Sequence, residues 1–179
     1  MKHVTIIATS LDEESKSQIL AKFFETQLKE KDISCERIDL RNLDLPMAGT
    51  NEGWNSPDAV VLKKSVERAS HIVFAVPIYS YDVNAAAKNV IELIGKSFTK
   101  KVVGFICSAG GTNSYMSVMG FANHLMLDFR SIIVPRFLYV NKQTNWESDD
   151  SLSPEIEERM KRLVEDLREV QVIANIEGN

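Results

Sequence analysis

The apolar residues of this chain change their spacing repeatedly, from the continuous run of a buried strand to the pattern of an amphipathic helix. Val4 to Ala8 is a short run rich in β-branched residues, and apolar residues then recur at helical spacing between Lys16 and Lys31. The same pattern predicts strands at residues 33–40, 72–76, 102–107 and 132–134, alternating with helices at 57–69, 85–95, 114–128 and after 153–154. Alternation of this kind predicts an α/β protein with a parallel sheet, because each right-handed crossover helix must pack back onto the sheet.

Five strands alternating with five helices predict a flavodoxin-like three-layer sandwich with strand order 2-1-3-4-5, formed by a single domain that spans residues 1–179. In such a sheet, ligands bind beyond the carboxyl ends of the strands that flank the point where the order reverses. We therefore expect the loops after the first, third and fourth strands to form the ligand site. Pro77 is expected to end the third strand, and residues 43–58 and 141–154 are expected to be irregular and exposed.

Charge and cysteine content exclude several classes of partner. The 179 residues carry a net charge of −4 and no run of Lys and Arg longer than two, so nucleic acid is not an expected partner. The two cysteines, Cys35 and Cys107, form neither a CxxC pair nor a metal-ligand spacing. The apolar N-terminal run is too short for a signal peptide, and the uncharged stretch 102–127 contains glycines and asparagines that membrane-spanning helices rarely combine. We expect a cytoplasmic protein with no metal and no membrane contact.

The first of the three loops is rich in hydroxyl groups and opens a helix. A helix N terminus offers unpaired N–H groups and the positive end of its dipole, and Ser and Thr hydroxyls add further donors. This loop therefore predicts a phosphate site, although serines that only cap the helix are the alternative. It lacks the GxGxxG and GK[ST] patterns, which argues against ATP and against tightly bound NAD. The candidate binding residues are Thr9, Ser10, Ser15, Lys16 and Ser17.

The other two loops combine aromatic residues, glycines and small polar residues. Tyrosines in the second loop could pack on a flat ring, with ordinary turn packing as the alternative. Paired glycines in the third loop allow the backbone to approach a ligand closely, with a flexible turn as the alternative. The candidates in the second loop are Pro77, Ile78, Tyr79, Ser80 and Tyr81. Those in the third loop are Ser108, Ala109, Gly110, Gly111 and Asn113.

No residue pattern indicates nucleophilic or acid–base catalysis by a side chain. The histidines at positions 3, 71 and 124 are far apart in sequence and have no matching serine or cysteine motif. The acidic residues of the last helix are typical of a solvated face. We therefore assign no catalytic residue and no metal ligand.

In these three loops the chain resembles the NADPH-dependent FMN reductase family, which includes related quinone, azo-dye and chromate reductases. The family's first motif, G-S-L-R-x-x-S-x-N, is similar to residues 9–17, with departures at Thr9, Asp12 and Ser17. Its second motif, P-E-Y-N-x-S-x-P-G-x-L-K-N, is matched at Pro77, Tyr79, Lys88 and Asn89. Its third, S-x-G-G-x-x-G, is matched at Ser108, Gly110 and Gly111. Asn84 stands at a proline position of the second motif, and Ser114 replaces the last glycine of the third.

The resemblance implies FMN as the cofactor and NADPH or NADH as the substrate that reduces it. Ser10, Ser15 and Ser17 would hold the FMN phosphate, residues 77–81 would follow the ribityl chain and ring, and residues 108–113 would contact the ring edge. Electrons would pass to flavin, quinone or another small acceptor. A non-catalytic electron carrier like flavodoxin and a flavin-free interaction module are the alternatives.

A homodimer, or a dimer of dimers, is also expected. The helix after the glycine loop carries more apolar residues than one sheet face needs, and Met-rich surfaces adapt well to partners. A helix buried within one subunit is the alternative. The residues concerned are Met116, Val118, Met119, Phe121, Leu125, Met126 and Phe129. The resemblance also implies dimers.

Overall fold

The structure is a computed structural model that describes residues 3–141, 146–148 and 151–170. Its strands are β1 (Val4–Ala8), β2 (Cys35–Asp39), β3 (His71–Tyr79), β4 (Asp82–Val83), β5 (Val102–Ala109), β6 (Ile132–Asn141), β7 (Trp146–Ser148) and β8 (Ser151–Leu152). Its helices are α1 (Lys16–Glu30), α2 (Pro57–Arg68), α3 (Ala85–Ile94), α4 (Met119–Phe129) and α5 (Pro154–Glu169). Within the stretch 43–58, a short 3₁₀ turn at Gly53–Asn55 precedes the start of α2 at Pro57.

Five strands form a parallel sheet in the spatial order β2-β1-β3-β5-β6, which confirms the predicted order 2-1-3-4-5. Helices α1 and α5 pack on one face of this sheet, around core residues such as Phe24 and Leu163. Helices α2, α3 and α4 pack on the other face, where Phe74, Phe105 and Phe121 form a cluster of aromatic rings. The core therefore lies in two layers on either side of a buried sheet, as parallel sheets require.

The expectation that Pro77 ends the third strand is wrong, since β3 continues to Tyr79. The carbonyl of Ala75 accepts the Thr9 N–H on the β1 side, and Pro77, two residues further along, faces the same side. Strand β1 has already ended at Ala8, so no partner strand there needs the N–H group that proline lacks. The last two residues of β3, Ile78 and Tyr79, pair antiparallel with the short strand β4, which the sequence did not predict.

The last strand of the sheet is longer than the predicted 132–134. Val103 of β5 pairs with Ile133, and Phe105 pairs with Phe137, so three residues of β6 lie opposite the single residue Gly104. This bulge takes in the exposed Pro135, and pairing then resumes as far as Asn141. The expected irregular stretch 141–154 contains the β7–β8 hairpin, while residues 142–145 and 149–150 lie outside the described residues.

The fourth helix begins at Met119, five residues later than the predicted 114. The preceding segment has the tighter three-residue hydrogen bonds of turns, from Ser117 N–H to the Ser114 carbonyl and from Met119 N–H to the Met116 carbonyl. The Ser114 hydroxyl is held at 2.8 Å from the Tyr139 hydroxyl of β6. This tertiary contact accounts for the local deviation from a helical pattern.

Candidate functional site

The three predicted loops lie at the carboxyl edge of the sheet. The first follows β1, the second takes in the end of β3 and the short strand β4, and the third begins with the last two residues of β5. Thr9 of the first loop contacts Asn84 at the end of the second. A cleft of about 270 Å³ lies between the second and third loops and is lined by Ile78, Ser80, Tyr81 and residues 109–114. The fold thus brings together three segments that are far apart in sequence, from Thr9 to Ser114.

The start of helix α1 has no side-chain cap among the described residues. Ser15 occupies the N-cap position, but its hydroxyl lies 2.9 Å from the hydroxyl of Ser17 instead of accepting a backbone N–H. Both serines are buried. The alternative in which Ser15 caps the helix is therefore wrong. The N–H groups of a first helical turn have no intrahelical acceptor, so this arrangement leaves them suited to an anion.

The Gln18 side chain donates hydrogen bonds to backbone carbonyl groups at the start of the first loop. Its amide nitrogen lies 3.0 Å from the carbonyl oxygen of Ser10, 3.4 Å from that of Ala8 and 2.9 Å from the carboxylate of Asp39. Gln18 is 3% exposed. Gln18 therefore ties the start of the first loop to the end of β2.

Arg41 supports the same loop from its exposed end. Its guanidinium makes long contacts of 3.5 and 3.4 Å to the carbonyl oxygens of Asp12 and Glu13, and it pairs with Asp39 at 2.5 Å. Partial burial alone would raise the pKa of the Asp39 carboxyl, but the hydrogen bonds and charge of Arg41 outweigh it and hold that pKa below its usual range. None of Gln18, Asp39 and Arg41 was predicted from the sequence. Gln18 directly follows the loop but reads as an ordinary helix residue, and nothing local marks Asp39 and Arg41 as neighbours of the loop.

Two further residues of the first loop have their polar groups partly engaged. Ser10 is fully buried, and its hydroxyl accepts the Asp12 N–H at 3.3 Å. The Lys16 ammonium lies 4.6 Å from the ring centre of Trp146 in β7, a cation–π contact. Thr9 is also fully buried. Of the candidate serines in this loop, Ser15 and Ser17 therefore lie nearest the uncapped start of α1.

The second loop is a tight hairpin turn with an uncommon backbone conformation. Ser80 and Tyr81 both have positive φ, at 51° and 62°, between the paired residues Tyr79 and Asp82. Positive φ at both central residues is typical of a type I′ turn, which favours Asn-Gly. The turn exposes 53% of Tyr79 and 69% of Tyr81, while Ile78 stays buried beneath it.

The third loop is held in place by Tyr139, a residue that sequence analysis missed because the last strand was expected to end at 134. Its hydroxyl donates to the Gly111 carbonyl at 2.5 Å and lies 2.8 Å from the Ser114 hydroxyl. Nothing lies within 4 Å of a side chain added at Gly110 or Gly111, so these glycines border open space. The backbone at the exposed Gly110 and the partly exposed Gly111 is therefore accessible to a flat ligand.

The described residues contain no cluster of His, Cys, Asp and Glu that could hold a metal ion. In the same part of the chain, none of the helices is both long and apolar enough to cross a bilayer. A larger groove of about 950 Å³ lies at the opposite end of α3 and is lined by residues that include Trp54, Lys96 and Leu127. It contains none of the candidate site residues, so we assign the site to the three loops instead.

The parallel sheet and its loop edge define a flavodoxin-like α/β protein, in which the uncapped start of α1 lies at the same sheet edge as the cleft. Residues 1–145 match the model of the NADPH-dependent FMN reductase family. The chain is 25% identical over 136 residues to the NAD(P)H-dependent FAD/FMN reductase of Geobacillus thermodenitrificans, which covers 72% of this chain and 74% of that protein.

Solved structures share the fold at low sequence identity. An NADH:FMN oxidoreductase (EMOB) in its apo form superposes with a TM-score of 0.82 at 12% identity, over 98% of this chain and 92% of that one. FerB, an NAD(P)H:(acceptor) oxidoreductase from Paracoccus denitrificans, gives 0.73 at 16% identity, over 96% and 100%. A flavodoxin from the domain Archaea gives 0.65 at 11% identity, over 93% and 96%.

The chain belongs to the NADPH-dependent FMN reductase family. It is therefore an oxidoreductase whose cofactor is FMN and whose reducing substrate is NAD(P)H. The described residues fit this cofactor, because the uncapped helix start suits a phosphate and the cleft beside Gly110 and Gly111 suits a flat ring.

Proposed function

We propose that the protein is a single-domain reductase that takes electrons from NADPH or NADH through FMN to a flavin, a quinone or another small acceptor. The observation that carries this proposal is the start of α1. Ser15, an N-cap serine, bonds to Ser17 and leaves the first helical turn uncapped, at the same sheet edge as the cleft. A phosphate dianion is the ligand that such a helix start favours.

Each of the three loops contacts a different part of FMN. Ser10, Ser15 and Ser17, together with the first-turn N–H groups, hold the FMN phosphate. Residues 77–81 follow the ribityl chain and one side of the ring, and residues 108–113 contact the ring edge through the backbone and Asn113. Bound FMN supplies the hydride chemistry. The protein binds and orients it, and backbone N–H donors near the ring stabilise negative charge there.

Access to the cleft decides which molecules react. Tyr81 lines the cleft and is 69% exposed, and the neighbouring Tyr79 is 53% exposed, so the nucleotide and the acceptor can approach the ring face beside them. Names of similar proteins include a FAD/FMN reductase and an NAD(P)H:quinone oxidoreductase from Methanothermobacter marburgensis. Flavins and quinones are flat and conjugated, and both chemistries fit an open cleft bordered by aromatic side chains.

A second candidate function is electron carriage, as in a flavodoxin, and the fold shared with the archaeal flavodoxin supports it. A carrier needs a partner reductase, whereas a reductase oxidises NAD(P)H unaided. The test is the visible spectrum of the purified protein, before and after FMN is added, followed by NADPH or NADH under anaerobic conditions. Rapid bleaching of the bound flavin supports the reductase, and a stable yellow spectrum supports the carrier. A colourless protein that takes up no FMN contradicts both and favours an interaction module.

We further propose a homodimer, or a dimer of dimers, in which α4 and the groove beside α3 face the partner copy. Of the apolar residues near α4, Val118, Phe121 and Leu125 are buried within the subunit, while 58% of Met116 and 76% of Leu127 are exposed. Leu127 lines the groove together with the exposed Trp54. Exposed apolar side chains beside a groove of this size are typical of an interface.

A cytoplasmic location fits the two free cysteines.

A further inference from the structure

Thr9 and Asn84 exchange two hydrogen bonds inside the protein, although they are 75 residues apart in sequence. The Thr9 hydroxyl donates to the Asn84 side-chain oxygen at 2.7 Å, and the Asn84 amide donates to the Thr9 carbonyl at 2.8 Å. Thr9 is fully buried and Asn84 is 7% exposed. We call this pair the Thr9–Asn84 clasp.

Asn84 makes these bonds instead of stabilising its own helix. It occupies the N-cap position of α3, where asparagine is among the most favourable residues, yet its side chain caps no backbone N–H. Ser56, in the same position of α2, does accept the Ala59 N–H at 3.2 Å. The Asn84 side chain is therefore committed to the first loop at the expense of its helix cap.

The clasp joins the two loops that are proposed to hold opposite ends of FMN. Thr9 begins the first loop, residues 9–17, which we call the phosphate loop because it is proposed to hold the FMN phosphate. Asn84 directly follows β4, whose hairpin with β3 carries Ser80 and Tyr81. Thr9 is also tied to the end of the sheet by its N–H bond to the Ala75 carbonyl. The clasp thus fixes the separation between the phosphate loop and the cleft.

We propose that Asn84 is a positioning residue that sets this separation and so preorganises the protein for FMN. The proposal rests on the proposed function, since it requires one ligand to span both loops. FMN engages the phosphate loop and the cleft together, whereas riboflavin lacks the phosphate and engages only the cleft. Loss of the clasp must therefore weaken FMN more than riboflavin, because only FMN depends on the distance between the two loops.

The test uses Asn84→Ser in the full chain. Serine can cap α3, but it is too short to bond to both groups of Thr9. We expect the FMN dissociation constant to rise about tenfold, because FMN must then order two loops that are no longer held together, and that of riboflavin to change less than about threefold. The melting temperature should not fall, because the new cap offsets the lost clasp. Thr9→Val should weaken FMN similarly, Thr9→Ser should retain binding, and the Thr9→Val/Asn84→Ser double variant should be no worse than either single variant.

Asn89 provides the matched control on the same helix. Its side chain also exchanges two hydrogen bonds with a loop, accepting the Ala48 N–H at 2.8 Å and donating to the Pro46 carbonyl at 3.0 Å, but that loop lies outside the candidate site. Asn89→Ser should lower the melting temperature and leave FMN affinity unchanged. Unchanged FMN affinity in folded Asn84→Ser, or equal weakening of FMN and riboflavin, would overturn the positioning role alone. Failure of the unsubstituted protein to bind FMN would overturn the proposed function as well.

Discussion

The hydroxyl groups of Ser15 and Ser17 lie 2.9 Å apart at the start of helix α1, and neither is used to cap the helix. If they hold the FMN phosphate, replacing both by alanine should weaken FMN several-fold or more, since each such hydrogen bond contributes about 1 kcal/mol. Riboflavin affinity should change little. Stability should also change little, because no cap bond is lost. Titration of flavin fluorescence and urea unfolding would measure these effects.

Ser56 supplies the control for that experiment, because its hydroxyl does cap a helix, at 3.2 Å from the Ala59 nitrogen. Ser56→Ala should lower the free energy of unfolding by about 1 kcal/mol and leave FMN affinity unaltered. The phosphate assignment is wrong if the Ser15→Ala/Ser17→Ala protein is folded and titrates with FMN like the unsubstituted protein.

Asp12 stands in the phosphate loop, where its negative charge should oppose an FMN phosphate. Two unit charges about 6 Å apart repel by roughly 3 kcal/mol at an effective dielectric constant near 20, and salt reduces this. The Asp12 carboxylate also accepts the Glu14 N–H at 3.1 Å, a bond that asparagine can keep. We expect Asp12→Asn to tighten FMN binding at low salt and Asp12→Arg to tighten it further. The gain should shrink as salt rises, and riboflavin should respond little.

Removal of a distant charge separates this effect from a change in net charge. Glu30 ends helix α1 far from the phosphate loop, and Glu30→Gln removes the same charge without approaching the site. Its FMN affinity should equal that of the unsubstituted protein. If Asp12→Arg leaves FMN affinity unaltered at low salt, the exposed Asp12 side chain projects into solvent and the phosphate does not sense its charge.

The turn at Ser80 and Tyr81 stores conformational strain, because both residues have positive φ without being glycine. Replacing the pair by Asn-Gly should raise the free energy of unfolding by about 1–2 kcal/mol, since that dipeptide suits the turn. FMN affinity should fall at the same time, because the Tyr81 ring is lost from the rim of the cleft. Thermal melting and flavin titration of one variant would show both changes.

Lys100 has the same backbone conformation outside the site, with φ of 59°, and its N–H donates to the Phe129 carbonyl. Lys100→Gly keeps that bond and should stabilise the protein by about 1 kcal/mol without changing FMN affinity. Stabilisation of both variants with undiminished FMN binding would contradict a role for Tyr81 at the ring.

His71 couples stability to pH at the edge of the sheet opposite the site. Burial lowers its pKa, and its Nε2 lies 2.9 Å from the Val170 carbonyl at the end of α5. The folded state therefore favours the neutral imidazole, so this contribution to stability is present above the ordinary pKa of 6.5 and is lost as pH falls below it. Urea unfolding between pH 7.5 and 5.5 should show a decline that is smaller in His71→Gln, which keeps a donor for Val170. Parallel curves for the two proteins would contradict this.

The proposed homodimer or dimer of dimers predicts a mass of two or four subunits by light scattering at micromolar concentration. Leu127→Glu places a charge on a side chain that is 76% exposed and lines the groove, so the variant should dissociate to monomers. Val61 is 53% exposed on α2 and does not line the groove, so Val61→Glu should remain a dimer. A monomer mass for the unsubstituted protein would contradict the proposal.

The sequence by itself determined the alternation of strands and helices, and with it the sheet order and the edge at which the three loops meet. These features follow from local apolar periodicity and from the handedness of crossover connections, which act within one βαβ unit. The hydroxyl-rich loop and the paired glycines were also visible locally. The precise start of α4 could not be read from the local sequence, because Tyr139 of another strand holds Ser114.

Only the tertiary structure decided which side chains meet across the edge. β3 passes through Pro77 because β1 has already ended beside it, and β6 continues past Pro135 through a bulge, so both outcomes depend on the register of neighbouring strands. The Thr9–Asn84 clasp likewise exists only because the ends of β1 and β4 lie side by side. Hydrogen bonds need partners within about 3 Å, and no local pattern encodes a partner that is brought that close by the packing of the whole sheet.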